Sequence, residues 1–245
     1  MEMKNMNVAL IFAGGCGVRM NNNTIPKQFL KLHGKEIIIY TLEIFQKHNC
    51  IDGIVVVCIK EWIDTLKELV YKYNLNKVLG IVEGGKNTQE SQFLGLKYME
   101  NLECLIDDSI VLIHDGVRPL VDELTITRNI DMVKKAGSAI TVTDAIETIV
   151  YSDNDHKINE IVDRKKCKMA KAPQSYYFRD IYNMHKRAIK DGKLDFIDSA
   201  CMMNYYGVNL QVVEGNDENI KITTPTDYYL FKAIEDAKEN FQIWG

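Results

Sequence analysis

Short apolar runs alternate with segments of helical periodicity along the first half of the chain. Apolar runs of strand length predict buried strands at residues 8–12, 53–58, 78–82 and 109–114. Apolar residues at helical spacing predict helices between these strands, at residues 36–48, 62–73 and 87–99. This order of elements predicts an α/β fold in which a mostly parallel sheet has helices on both faces.

The alternation changes after the fourth predicted strand. Short strands are predicted at residues 138–144, 146–150 and 157–162, and a polar turn at residues 152–155 separates the last two. We interpret residues 148–172 as an antiparallel β-arm that leaves the main sheet. The remaining pattern predicts a strand at residues 210–213 and helices at residues 179–190, 199–206 and 228–239. Because neither a repeat nor a linker interrupts the chain, residues 1–245 are expected to form a single domain.

Composition narrows the possible classes of protein. The chain is 46 % hydrophobic and 26 % charged, as in ordinary globular proteins, and its formal net charge is −4. A slightly acidic chain has no general affinity for nucleic acid or anionic membranes. No apolar stretch approaches the ~20 residues of a membrane helix, and the start of the chain does not resemble a cleavable signal, so a cytoplasmic protein is expected. Its six cysteines and five histidines lack the paired spacing of structural zinc sites.

A glycine-rich segment, residues 13–20, directly follows the first predicted strand. Backbone N–H groups of such a loop can approach phosphates closely, but a tight turn without a ligand is the simpler alternative. The glycine spacing matches neither the dinucleotide-binding fingerprint nor the P-loop. Two cations, Arg19 in the loop and Lys27 shortly after it, favour binding of a triphosphate.

Two further segments carry candidate chemistry. Asp115 ends the fourth predicted strand, where it could either hold Mg²⁺ or form an ion pair with Arg118. The adjacent His114 is expected to pack inward rather than to act as a base. Residues 218–225 are interpreted as a short strand that presents Lys221 before a helix capped by Thr224.

Together, these segments resemble the cytidylyltransferases that activate sugar-alcohol phosphates, over residues 7 to about 237. The resemblance depends on the motifs at residues 13–20, 26–29, 84–85, 114–119, 172–174 and 219–223. It implies a Rossmann-like, three-layer nucleotidyltransferase fold and a homodimer in which the β-arm reaches the partner subunit. It also implies that CTP and a polyol phosphate react to give a CDP-alditol and pyrophosphate, with Mg²⁺ as cofactor.

The resemblance also assigns roles to individual residues. Catalytic cations are implied at Arg19, Lys27 and Lys221. Nucleotide-binding positions are implied at Ala13, Gly14, Gly15, Gly17, Gly84, Gly85, Ser91 and Asp115, the last of which would also bind the metal ion. Positions that would bind the polyol phosphate are Arg118, Thr148, Arg164 and Asp198.

Three positions depart from the family pattern and leave the acceptor open. Thr88 stands where arginine is usual, Ile197 where threonine is common, and Ala172 where threonine precedes a Pro-Gln pair. Both 2-C-methyl-D-erythritol 4-phosphate, for isoprenoids, and D-ribitol 5-phosphate, for teichoic acid or capsule, remain candidate acceptors. A catalytically inactive nucleotide-binding module is the alternative on the same fold. A nicotinamide-dependent oxidoreductase is disfavoured because it would need neither Lys27 nor Lys221.

Overall fold

The computed structural model describes residues 5–14, 25–102, 105–153 and 156–244. The strands are, in chain order, β1 (Asn7–Ala13), β2 (Lys31–Leu32), β3 (Lys35–Glu36), β4 (Gly53–Cys58), β5 (Val78–Glu83), β6 (Ile110–Asp115), β7 (Ser138–Asp144), β8 (Ile149–Ser152), β9 (Ile158–Val162), β10 (Lys168–Tyr177) and β11 (Val212–Glu214). The helices are α1 (Ile37–Lys47), α2 (Ile63–Lys72), α3 (Thr88–Glu100), α4 (Glu123–Ala136), α5 (Phe178–Lys190), α6 (Ser199–Tyr205) and α7 (Pro225–Trp244).

Seven strands form the central sheet in the order β11-β7-β10-β6-β1-β4-β5. Neighbouring strands are parallel except for β10, which runs antiparallel to both β6 and β7. The predicted α/β class with a mostly parallel sheet is therefore confirmed. The register pairs Phe12 with Asp115, so the carboxyl ends of β1 and β6 lie side by side. Loops that follow these strands meet at one edge of the sheet.

Side chains of β1 alternate between the two faces of the sheet and show how the layers pack. Ala9 and Ile11 are fully buried in one cluster, which also contains residues from α1, α2 and α4. Val8 and Leu10 are fully buried in a second cluster with residues from α3, α5 and α6. These clusters make three layers, with helices on each face of the sheet. In a third cluster, Phe231 of α7 packs near the start of α1.

The predicted β-arm is shorter than the sequence indicated. Of the predicted arm, β8 and β9 form an antiparallel hairpin that is separate from the central sheet. Residues 168–172, assigned to the arm by the pattern, are instead the first half of β10 and lie in the central sheet. The sequence pattern did not predict this strand because it contains Pro173, and proline cannot donate a hydrogen bond to a neighbouring strand. The position of Pro173 coincides with a shift of register between Ala170 and Gln174, where such a donor is not needed.

A second difference is helix α4, which the pattern of apolar residues did not predict. Its N-cap is Asp122, whose side chain accepts a hydrogen bond of 2.6 Å from the backbone N–H of Thr125. The helix ends at Gly137 in the left-handed region, with φ of 83°. Within the described ranges, none of the helices has the length and apolar character needed to cross a membrane.

Candidate active site

A cavity of about 340 Å³ opens at the carboxyl edge of the sheet, between the loops that follow β1, β5 and β6. Its walls are formed by Phe12, Ala13, Gly14, Lys27, Gln28, Gly85, Lys86, Asn87, Thr88, Ser91, Asp115, Val117 and Lys221. The structure thus brings together most of the described nucleotide-site residues that the sequence predicted. Gly84 adjoins this cavity without lining it. Gly15, Gly17 and Arg19 lie outside the described residues.

Lys27 begins a short 3-10 turn, Lys27–Phe29, which two contacts hold in place. The side-chain amide of Gln28 is almost completely buried and donates a hydrogen bond of 2.5 Å to the carbonyl oxygen of Ala13. The ring of Phe29 stacks on Trp62 with 4.4 Å between the ring centroids. These contacts tie Lys27 to the end of β1 and to the core. Sequence reasoning missed the role of Gln28, although it stands within the family motif.

The turn before α3 forms the opposite wall of the cavity. The backbone N–H of Gly85 donates a 3.0 Å hydrogen bond to the hydroxyl oxygen of Ser91. Asn87 is the N-cap of α3 and accepts a 2.8 Å hydrogen bond from the backbone N–H of Glu90. A side chain at Gly85 would collide with Glu90, so glycine is required for this close packing. The segment therefore brings the backbone of Gly85 close to Ser91 and places residues 85–88 in the wall of the cavity.

Asp115 lies between two cations at the junction of β6 with the following loop. Its Oδ1 is 2.6 Å from Lys221 Nζ, and its Oδ2 is 2.8 Å from Arg118 Nε. Burial by itself raises the pKa of Asp115, but Lys221 and Arg118 outweigh it and hold that pKa well below its usual range. The carboxylate is therefore ionised throughout the physiological range. The sequence left an ion pair with Arg118 as an alternative to metal binding, and the structure contains this pair.

Lys221 reaches Asp115 from an irregular segment and not from the predicted short strand. No strand is assigned at residues 218–225. Instead, Arg118 Nη1 donates a 2.8 Å hydrogen bond to the carbonyl of Asn219, and the backbone N–H of Ile222 donates one of 2.9 Å to Val117. The expected helix cap is present, since Thr224 Oγ1 accepts a 3.3 Å hydrogen bond from the backbone N–H of Asp227, and Asp227 Oδ2 accepts one of 2.7 Å from the backbone N–H of Thr224. Lys221 is thus fixed by contacts between segments that are distant in sequence.

His114 is buried, in agreement with the expected inward orientation. Its ring packs against Phe45 with 5.1 Å between the centroids, and Nε2 lies 3.2 Å from the carbonyl oxygen of Arg118. Burial lowers the pKa of His114 to about 4, although the charge of Asp115 acts in the opposite direction. The ring is therefore neutral at physiological pH and is already engaged with the backbone.

A second cavity, of about 170 Å³, adjoins the first beneath Asp115. Four residues line both cavities: Phe12, Thr88, Asp115 and Lys221. The second cavity also contains Arg118 and Asp198, two of the predicted polyol-site residues, and the departing residue Ile197. Gln174 positions the carboxylate of Asp198, because its Nε2 donates a 3.1 Å hydrogen bond to Asp198 Oδ2. Like Gln28, Gln174 stands within one of the family motifs, at residues 172–174, but no role in the site was assigned to it from the sequence.

The structure does not bring the other two polyol-site candidates into either cavity of this chain. Thr148 immediately precedes the β8–β9 hairpin, and Arg164 follows it. Arg164 Nη1 instead donates a 2.8 Å hydrogen bond to the carbonyl of Ile146, at the base of the hairpin. Both residues are exposed.

The junction of the two cavities offers one carboxylate, that of Asp115, to a divalent cation. Among the described residues, no group of three or more histidine, cysteine, aspartate or glutamate side chains could hold a metal ion. Mg²⁺ does not need such a cage, because it usually binds one or two carboxylates together with substrate phosphates and water. The hard oxygen ligands of Asp115 fit this mode of binding.

Comparisons with known proteins agree with the fold and with the family that the motifs resemble. Residues 7–236 match the family model described as IspD: 2-C-methyl-D-erythritol 4-phosphate cytidylyltransferase. Ribitol-5-phosphate cytidylyltransferase of Streptococcus agalactiae serotype Ia is 51 % identical over 240 residues, which cover 98 % of this chain and 100 % of that protein. 2-C-methyl-D-erythritol 4-phosphate cytidylyltransferase of Syntrophus aciditrophicus is 36 % identical, covering 97 % and 99 % of the two chains.

A solved structure extends the likeness to three dimensions. The 4-diphosphocytidyl-2C-methyl-D-erythritol synthase of Anaerococcus prevotii superposes with a TM-score of 0.81 and 26 % identity, covering 95 % of this chain and 96 % of that one. The resemblance noted in the sequence is confirmed, and the oxidoreductase alternative is excluded. The chain belongs to the IspD family of CTP-dependent cytidylyltransferases and is a nucleotidyltransferase.

Proposed function

We propose that this chain transfers CMP from CTP to D-ribitol 5-phosphate, giving CDP-ribitol and pyrophosphate. The observation that carries the proposal is the meeting of two cavities at Asp115 and Lys221. CTP occupies the larger cavity with its α-phosphate at the junction, and the polyol phosphate occupies the smaller one. A phosphate oxygen of the acceptor then faces the α-phosphate, as the transfer requires.

The reaction needs charge neutralisation more than proton transfer. The nucleophile is a phosphate monoester whose second pKa is about 6, so it is largely dianionic at neutral pH. No general base is required, which suits a site whose histidine, His114, is buried and neutral. The barrier arises because a dianion must approach a triphosphate, and preorganised cations lower it.

The proposal gives each cation a role. Lys27 and Lys221 line the larger cavity and stabilise charge that develops at the α-phosphate. Arg19, from the glycine-rich segment, holds the β- and γ-phosphates in this proposal. Asp115 binds Mg²⁺, which supplies additional neutralisation of phosphate charge when it is bound. Gly14, Gly85 and Ser91 hold the nucleotide, largely through the backbone.

Ribitol phosphate is preferred as acceptor because of the relatives, and because an aliphatic residue, Ile197, lines the smaller cavity. The relative at 51 % identity is named for ribitol 5-phosphate, whereas the methylerythritol-phosphate relative is 36 % identical. Ile197, at the mouth of the smaller cavity, has 83 % of its surface exposed. An aliphatic side chain here offers no hydroxyl to the polyol, so recognition depends more on Asp198, Arg118 and Gln174.

The proposal includes a homodimer formed through the β8–β9 hairpin. Exposed apolar side chains cluster on and around this hairpin, namely Ile146, Val150, Tyr151, Ile158 and Ile161. Five exposed apolar side chains on and next to one short hairpin suit a protein interface. In the dimer, Thr148 and Arg164 of each subunit extend toward the acceptor cavity of the other.

The direct test is pyrophosphate release from CTP and Mg²⁺ with D-ribitol 5-phosphate, 2-C-methyl-D-erythritol 4-phosphate or no acceptor. We expect turnover with the ribitol phosphate alone. Replacing Lys27 by methionine should reduce this turnover about 100- to 1,000-fold without changing the melting temperature. The exposed Lys134, which lines neither cavity, provides the matched methionine control.

Other outcomes would contradict specific parts of the proposal. Turnover with the methylerythritol phosphate alone would refute the acceptor assignment. Calorimetric binding of CTP without turnover of either acceptor would favour the inactive nucleotide-binding module. Near-normal turnover of the Lys27→Met variant would refute the role of that lysine.

A further inference from the structure

Lys171 lies at the active-site edge because strand β10 runs against its neighbours. Gln174 pairs with Ile113 in the antiparallel ladder between β10 and β6. Residues before Gln174 therefore extend beyond Ile113, toward the edge where β6 ends in Asp115. Lys171 reaches the smaller cavity in this way and lines it together with Arg118 and Lys221.

The ammonium group of Lys171 is held by neutral groups. Its Nζ donates hydrogen bonds to the backbone carbonyl oxygens of Asp217, at 2.9 Å, and Asn216, at 3.5 Å. No carboxylate of the described residues lies within ion-pair distance of it. Burial, and then the charge of Arg118, lower the pKa of Lys171, while the charge of Asp217 acts in the opposite direction. The cation is therefore partly desolvated, close to a second cation and without a carboxylate at ion-pair distance.

The carboxylates of the smaller cavity have other partners. Asp115 is bound by Lys221 and Arg118 through its two oxygens. Asp198 accepts from Gln174 through Oδ2 and from the backbone N–H of Cys201, at 2.8 Å, through Oδ1. Lys171 therefore has no carboxylate to pair with in this cavity, and an anion that entered would supply the missing charge.

We propose that Lys171 is a substrate-binding residue whose ammonium group binds the phosphate of the acceptor in the smaller cavity. The inference rests on the proposed function and adds to it a residue that no motif indicated. A lysine suits the role because its long stem lets the ammonium exchange the two carbonyl oxygens for phosphate oxygens. Lys171 then acts with Arg118 to hold the dianion while Lys221 faces the α-phosphate.

The test compares steady-state kinetics of the wild type with those of Lys171→Met, which keeps most of the stem. We expect the KM for D-ribitol 5-phosphate to rise about 10- to 100-fold, as for loss of one charged hydrogen bond. The dissociation constant for CTP, measured by calorimetry, should stay unchanged. Lys171→Arg, which retains the charge, should recover part of the acceptor affinity.

Lys168 provides a matched control on the same strand. Its ammonium binds Asp144, 2.6 Å away, and it lines neither of the two cavities. Lys168→Met removes the same charge from β10 and should leave the KM values of both substrates as in the wild type. Melting temperatures of the variants show whether each remains folded.

Two results would overturn the inference while the proposed function stands. One is an unchanged acceptor KM in Lys171→Met. The other is a fall in kcat and CTP affinity without a change in acceptor KM, which would mean that Lys171 only supports the segment carrying Lys221. If the wild type itself turns over no polyol phosphate, the proposed function fails. Calorimetry with inorganic phosphate then decides the inference: weaker binding by Lys171→Met supports it, and equal affinity overturns it.

Discussion

His185 makes the stability of this fold depend on pH. It lies on α5, is completely buried, and in the described part of the chain neither ring nitrogen has a hydrogen-bond partner. Burial lowers the pKa of His185 to about 4, whereas the unfolded chain titrates near 6.5. Below pH 6.5 the unfolded chain therefore binds a proton that the native state does not, and stability falls as the pH decreases toward 4.

The size of this effect follows from the two pKa values. Linkage gives a loss of about 2 kcal/mol at pH 5 relative to pH 8, and about 3 kcal/mol once the pH is below 4. His185→Leu replaces the ring with an uncharged side chain of similar size and removes this contribution. The free energy of unfolding should then differ between pH 8 and pH 5 by about 2 kcal/mol less than in the wild type. Urea titrations followed by circular dichroism at the two pH values measure this difference.

A second histidine provides the control for this experiment. His156 is exposed in the turn of the β8–β9 hairpin and has a φ of 60°, which asparagine tolerates. His156→Asn should therefore keep the wild-type difference between the two pH values. If His185→Leu also keeps it, the buried ring does not oppose protonation and the reasoning is refuted.

Three further predictions concern the site and the interface. Lys221→Met should lower kcat about 100- to 1,000-fold when assayed well below the variant's own melting temperature, and a kcat within a few-fold of the wild type would contradict its role. Gln28→Leu removes the hydrogen bond to Ala13 that positions Lys27, so kcat should fall about 10-fold in the pyrophosphate-release assay; an unchanged kcat would show that the Phe29 stack suffices. Ile161→Asp places a charge on the exposed apolar hairpin and should convert a dimer to a monomer in sedimentation velocity, whereas a wild-type monomer would refute the proposed dimer.

Strands β1, β4 and β6 could be predicted because they are buried on both faces. Strand β4 is the clearest case: all of its residues, Gly53–Cys58, are buried, and they form one apolar run with the predicted bounds. A strand of this kind needs no information from its neighbours, since composition alone marks it. Strand β10 lacks this signal, because its first three residues are exposed and it contains Pro173 at a shift of register.

The candidate site could be predicted to the extent that its residues follow strand ends. Asp115 directly ends β6, and Lys27 follows the loop after β1, so the parallel-sheet rule places both at one edge. The pairing of Asp115 with Lys221 was not predictable by that rule. It depends on the hydrogen bonds that Arg118 and Val117 make with the segment before α7, and such contacts leave no periodic pattern in the sequence.

Lys171 shows a limit of the same rule. In a parallel sheet, ligands bind beyond the carboxyl ends of the strands, so candidate residues are sought after each apolar run. An antiparallel strand inserted into such a sheet presents its amino-terminal half at that edge instead. The residues of β10 that line the smaller cavity, 170–172 and Gln174, therefore lie in the first seven positions of the strand, and Lys171 directly precedes its buried part. In folds of this class, ligand-binding residues should therefore also be sought at the amino-terminal end of each antiparallel strand. The rule for βα units considers only residues that follow a strand.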